Sequence, residues 1–85
     1  MTSIKYFSAA WCGPCKVFGP TVDSVSQELG VSIQKIDVDS SKELADKYEI
    51  RSVPTLIFEK DGKIEHRQSG AMGKPQLISL IQSKL

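Results

Sequence analysis

The chain has 85 residues and a formal net charge of +1, enough for one domain, 1–85, with a single modest core. A chain this near neutrality carries no electrostatic footprint for nucleic acid or an anionic membrane, and its longest apolar runs are far too short to span a bilayer. Met1-Thr2-Ser3-Ile4-Lys5 lacks a basic region followed by an apolar one, so no secretory signal is expected and the reading is cytoplasmic.

Ile4 to Ala9 reads as a strand with apolar or aromatic residues on both faces, hence a central one. A helix follows Cys12, with Phe18, Val22, Val25 and Leu29 as its core stripe, Pro20 as an internal kink and Gly30 as a left-handed stop. Val31 to Val38 is a second strand, with Ile33, Ile36 and Val38 as its apolar members. Ser40-Ser41-Lys42-Glu43 has the form of a capping box and opens a short helix that buries Leu44, Ala45 and Tyr48. Thr55–Glu59 and Lys63–Gln68 flank the turn residues Asp61-Gly62 and make an antiparallel hairpin. Pro75 suits the first turn of a last helix whose core positions are Leu77, Leu80, Ile81 and Leu85. The order β-α-β-α-β-β-α predicts an α/β fold. Its first two strands are parallel through a right-handed crossover, and helices cover both faces of a four-stranded sheet.

Cys12 and Cys15 are the only cysteines. A structural bridge between them would close a tiny loop and stabilise little, and a reducing cytosol would not preserve it. The pair is therefore chemical or metal-binding. Zinc needs four ligands, and beyond this pair the chain offers His66, in the charged stretch Glu65-His66-Arg67, and carboxylates. Covalent haem attachment needs a histidine after the second cysteine, where Lys16 stands. A Cys-x-x-Cys pair at the junction of a strand and a helix reads instead as a redox motif. The first cysteine falls at the helix N-terminus, where free N–H groups and the positive end of the dipole favour a thiolate. The second lies one turn further in. A thiol of pKa ~8.5 is roughly 3 % ionised at pH 7, and one of pKa ~7 about half. Lowering the pKa thus multiplies the attacking species by more than about tenfold, while a value near ambient pH preserves nucleophilicity. Gly13 and Pro14 let the chain turn into the helix, and proline there loses no intrahelical hydrogen bond.

Trp11-Cys12-Gly13-Pro14-Cys15-Lys16 resembles the active-site signature of the thioredoxin family. Pro20 fits that family's kink proline, Lys35-Ile36-Asp37-Val38-Asp39 its strand with a lysine near the active site, and Arg51-Ser52-Val53-Pro54-Thr55-Leu56 its cis-proline segment. Ser69-Gly70-Ala71 fits its glycine loop beside the substrate groove. The resemblance covers essentially the whole chain and departs from the family in two respects. The family's usual N-terminal strand and helix are missing, which implies a minimal thioredoxin-like fold of sheet order 2-1-3-4. The second strand is then an edge, blunted by Lys35, and Lys5 points to the face the missing helix would have covered. Tyr6 stands where the family usually has a buried acid beneath the cysteines, and Ser8 where a second tryptophan is common.

The resemblance implies a protein thiol–disulfide oxidoreductase that reduces substrate disulfides. Cys12 is the exposed nucleophile and Cys15 the buried resolving thiol. Trp11, Gly13, Pro14, Lys35 and Tyr6 support them, and Val53, Pro54, Gly70 and Ala71 line a shallow groove for an extended substrate strand. It further implies a cis Val53–Pro54 bond, a thioredoxin reductase as electron donor, a monomer, no metal, and no cofactor beyond the Cys12–Cys15 disulfide itself. The competing readings are a glutathione-driven, glutaredoxin-like reductase and a thioredoxin-like binding subunit of a larger enzyme.

Overall fold

The computed structural model describes residues 2–85, in the order β1 (Thr2–Ser8), α1 (Gly13–Leu29), β2 (Ile33–Asp37), α2 (Lys42–Lys47), β3 (Thr55–Lys60), β4 (Lys63–Ser69) and α3 (Lys74–Lys84). The sheet runs β2-β1-β3-β4. β1 pairs in parallel with β2, placing Tyr6 opposite Lys35 and Ser8 opposite Asp37. β1 pairs antiparallel with β3, and β3 antiparallel with β4, with an irregularity between Phe58 and Glu59. The element order, the sheet order and the edge position of β2 all agree with the sequence reading.

Strand alternation divides the core in two. Ile4, Tyr6, Leu56 and Phe58 face α1 and α3, where they pack with Phe18, Val22, Val25, Leu77 and Ile81. Phe7, Ile36 and Ile57 face the other way and pack with Tyr48, at the end of α2, with Leu44 and Ile50 alongside. β1 and β3 bury residues on both faces because they are the inner strands.

Lys5 lies on the α2 face of β1, the same side as Phe7. There its ammonium pairs with Glu59 of β3, and the Tyr48 hydroxyl donates to the other carboxylate oxygen at 2.8 Å. Gly30 closes α1 at φ 65°, and its N–H reaches the Ser26 carbonyl. α1 runs through Pro20 as one helix.

Three local expectations are corrected. The capping box does not form: Ser41, one residue past Ser40, is the N-cap of α2 and makes no side-chain capping bond, while the N–H groups of Ser40 and Ser41 go to the Asp37 side chain and carbonyl. Leu85 is 64 % exposed, lying past the end of α3 where no element covers it. Leu29, Leu44 and Leu80 are only partly buried, at the margins of their clusters.

Candidate active site

β1 ends at Ser8, and the chain turns through Ala9-Ala10-Trp11 into α1. Cys12 is the N-cap of that helix, in extended conformation, and its sulfur accepts the backbone N–H of Cys15 at 3.2 Å. Gly13 and Pro14 occupy the first two helical positions, so the Cys15 amide is the first N–H free to point at that sulfur after the one that proline lacks. The first turn carries no acidic residue. Backbone donor and helix dipole therefore act on the Cys12 sulfur unopposed, the arrangement that stabilises a thiolate.

The two cysteines form a disulfide with Cα atoms 5.2 Å apart. Both are buried, at 4 % and 6 % relative exposure, which corrects the expectation of an exposed Cys12. Its sulfur packs 3.7 Å from the Val53 carbonyl oxygen, and Ala9, Val38 and Val53 enclose the pair. The Val53–Pro54 bond is cis, as the resemblance implied. Gly70, at φ 90°, donates its N–H to the Pro54 carbonyl at 2.9 Å, which brings Gly70 and Ala71 alongside the Val53–Pro54 segment.

Trp11 is 69 % exposed. Its indole N–H donates to Asp39 at 2.8 Å, and its ring forms one side of a shallow cleft of about 150 Å³ shared with Val38, Ile50, Arg51, Ser52 and Val53. Trp11 is thus a large exposed aromatic held in place beside the cysteine pair over a mainly apolar floor.

A second cleft, of about 180 Å³, opens on the Cys15 side, between β1, α1 and β2. Tyr6 lies beneath it, fully buried, with its ring edge-on to Phe18 and its hydroxyl donating to the Cys15 carbonyl at 3.4 Å. Burial, and after it the charge of Asp23, pushes the Tyr6 phenol above its ordinary pKa, so it keeps its proton at neutral pH. Lys35 lines the same cleft, with its ammonium 3.1 Å from both carboxylate oxygens of Asp23.

Three residues of this region were not singled out from the sequence: Asp23, Ser8 as part of a cleft, and Asp37. Alternation along β2 would have found Asp37, since it is two residues from Lys35 and must share its face. Asp23 and Ser8 depend on how α1 sits over the strands. His66 lies on β4, half-buried, bonded to Gln68 at 3.0 Å and 5.9 Å from the Phe58 ring.

A two-cysteine redox centre at the N-cap of the first helix, packed against a cis-proline segment at one end of a four-stranded mixed sheet, defines a dithiol–disulfide oxidoreductase. The thioredoxin family model matches residues 2–83, and the chain belongs to that family. It is 47 % identical over 76 residues to thioredoxin of Chlamydia trachomatis, covering 88 % of this chain and 74 % of that one. With Bacillus subtilis thioredoxin the identity is 42 % over 81 residues, 93 % of this chain and 78 % of the other. The structure of Fasciola hepatica thioredoxin superposes with a TM-score of 0.90 at 38 % identity, covering 99 % of this chain and 81 % of that one.

Proposed function

We propose that this oxidoreductase works as a reductant of protein disulfides, with Cys12 as nucleophile and Cys15 as resolving thiol. The observation that carries the assignment is the Cys15 N–H on the Cys12 sulfur at the start of α1. That hydrogen bond supports charge on Cys12 and leaves Cys15 a turn deeper. A substrate strand lies along the Val53 backbone, with Trp11, Pro54, Gly70 and Ala71 bordering it. Main-chain bonding of this kind gives affinity with little sequence demand.

The Cys12 thiolate attacks one substrate sulfur. A Cys12–substrate disulfide forms and the other substrate sulfur leaves as a thiolate. Cys15 then attacks Cys12, closing the Cys12–Cys15 bond and freeing the second substrate thiol. Two electrons pass from the dithiol to the substrate, and a thioredoxin reductase restores the dithiol. Gly13-Pro14 between the cysteines resembles the reducing members of the family, and this supports the direction. The chain acts as a monomer in a reducing compartment, the cytoplasm, and contributes there to redox homeostasis and electron transport. It needs no metal or cofactor beyond its own disulfide.

The test is reduction of a protein disulfide with dithiothreitol, then with a thioredoxin reductase, as electron source. Cys12→Ser abolishes turnover. Cys15→Ser still attacks and accumulates a mixed disulfide. Faster alkylation of Cys15 than of Cys12 in the reduced protein at neutral pH contradicts the assignment. Turnover driven only by glutathione favours the glutaredoxin-like reading, and no turnover with any donor favours a binding subunit.

A further inference from the structure

The cleft beside Cys15 bears on a step that the thiol pair alone does not explain, and the argument rests on the roles proposed above. The resolving thiol must lose its proton before it attacks, yet Cys15 is buried and lines a cleft beside β1, α1 and β2. What faces it decides where the proton goes.

From β1, Tyr6 spends its hydroxyl on the Cys15 carbonyl and holds its proton. From α1, Lys16 lines the cleft and is a donor; Asp23 is engaged through both oxygens by Lys35. From β2, Lys35 is likewise a donor. Asp39, on the loop beyond, accepts the Trp11 indole N–H at Oδ2 and does not line the cleft. There remains Asp37, the one carboxylate lining the cleft together with Cys15. Its Oδ1 accepts the N–H groups of Asp39 and Ser40 at 2.8 and 3.0 Å, which anchors the side chain. No hydrogen bond among the described residues engages its Oδ2. Asp37 sits opposite Ser8 across the β1–β2 ladder, and the small serine side chain leaves the space between carboxylate and thiol open. A volume of about 180 Å³ holds more than one water.

We propose that Asp37 is the proton acceptor for Cys15, reached through water in this cleft. The Cys15 S–H proton passes by way of water to the carboxylate. The sulfur electron pair makes the Cys15–Cys12 bond, the Cys12–substrate bond breaks, and the departing substrate thiolate takes a proton from solvent. Asp37 then returns its proton to solvent through the cleft.

The test is Asp37→Asn, which keeps an oxygen to accept from Asp39 and Ser40. Two quantities are read between pH 5.5 and 9: the single-turnover rate of mixed-disulfide resolution, and the titration of Cys15 in a Cys12→Ser background. Loss of the acceptor slows resolution at pH 7 by about tenfold or more, and the deficit shrinks as hydroxide takes over at high pH. Meanwhile Cys15 titrates at the same or a lower pH, because a neighbouring negative charge has gone. A purely electrostatic role would make rate and thiolate fraction rise together. Glu65→Gln, an exposed carboxylate change on β4, leaves both readouts at the parent values. An unchanged or faster rate, a loss of equal size at every pH, or a tenfold loss in Asp39→Asn instead overturns the proposal. Failure of the underlying cysteine roles looks different, since Cys15→Ser would then capture no substrate on Cys12, and that result overturns both.

Discussion

Tyr6 is the residue at which sequence and packing meet most closely. Alternation from Ile4 placed it under the active-site helix, and there its hydroxyl finds the Cys15 carbonyl. Replacing it with aspartate removes the edge-on ring contact with Phe18 and leaves both a cavity and a carboxylate at a buried position. Tyr6→Asp therefore loses about 3–5 kcal/mol of stability, read as a large fall in denaturation midpoint. Tyr6→Phe loses only a long hydrogen bond and costs about 1 kcal/mol or less. A similar midpoint for the two variants would contradict this account of the site floor. The cysteine pair, its tryptophan and the proline opposite were legible because local chemistry demands those residue types. The burial of Cys12 was not, since it comes from Val53, more than forty positions away in sequence.

At the scale of elements, hydrophobic spacing located every helix and strand, and the errors fall at ends. Leu85 continues the periodicity of α3 but lies past its end and stays mostly exposed. Ser40-Ser41 has the residue types of a cap, but the Ser40 N–H that a capping box would engage goes to the Asp37 carboxylate, and the helix starts one residue later, at Ser41. Gly30 was legible because its role is purely local. The space around Gly30 is open, but φ 65° strains an L residue against its own carbonyl, so Gly30→Ala costs about 1–2 kcal/mol and lowers the melting temperature by at least about 4 °C. An unchanged melting temperature would show that the end of α1 relaxes without cost.

Across the whole molecule, the Lys5–Glu59 pair ties β1 to β3 on the α2 face, with Tyr48 completing it. The Glu59 hydrogen bond raises the Lys5 pKa above its usual 10.5. Burial works to raise that of Glu59, but hydrogen bonds from Lys5 and Tyr48 outweigh it and hold the carboxyl below its usual 4.5. A lowered carboxyl pKa stabilises the fold above about pH 4.5, and that contribution fades as acid titrates the folded group. A raised lysine pKa stabilises it below about pH 10.5 and fades in stronger alkali. Glu59→Gln leaves Lys5 partly buried without its counter-charge, costing about 3 kcal/mol at pH 7, and flattens the acid limb of the stability profile. An acid limb as steep as that of the parent would contradict the role of Glu59. Lys5 was recognised in the sequence as out of place, whereas Glu59 and Tyr48 became its partners only through the antiparallel β1–β3 pairing and the seating of α2.

The claim that joins these scales is that Cys12 and Cys15 form a reducing couple. Equilibration of the protein in glutathione redox buffers, with the oxidised fraction read by alkylation, gives its potential directly. A value near the ~−270 mV characteristic of thioredoxin is the expected result. A value near the ~−120 mV of strong disulfide-forming oxidants, about 7 kcal/mol away, would contradict it.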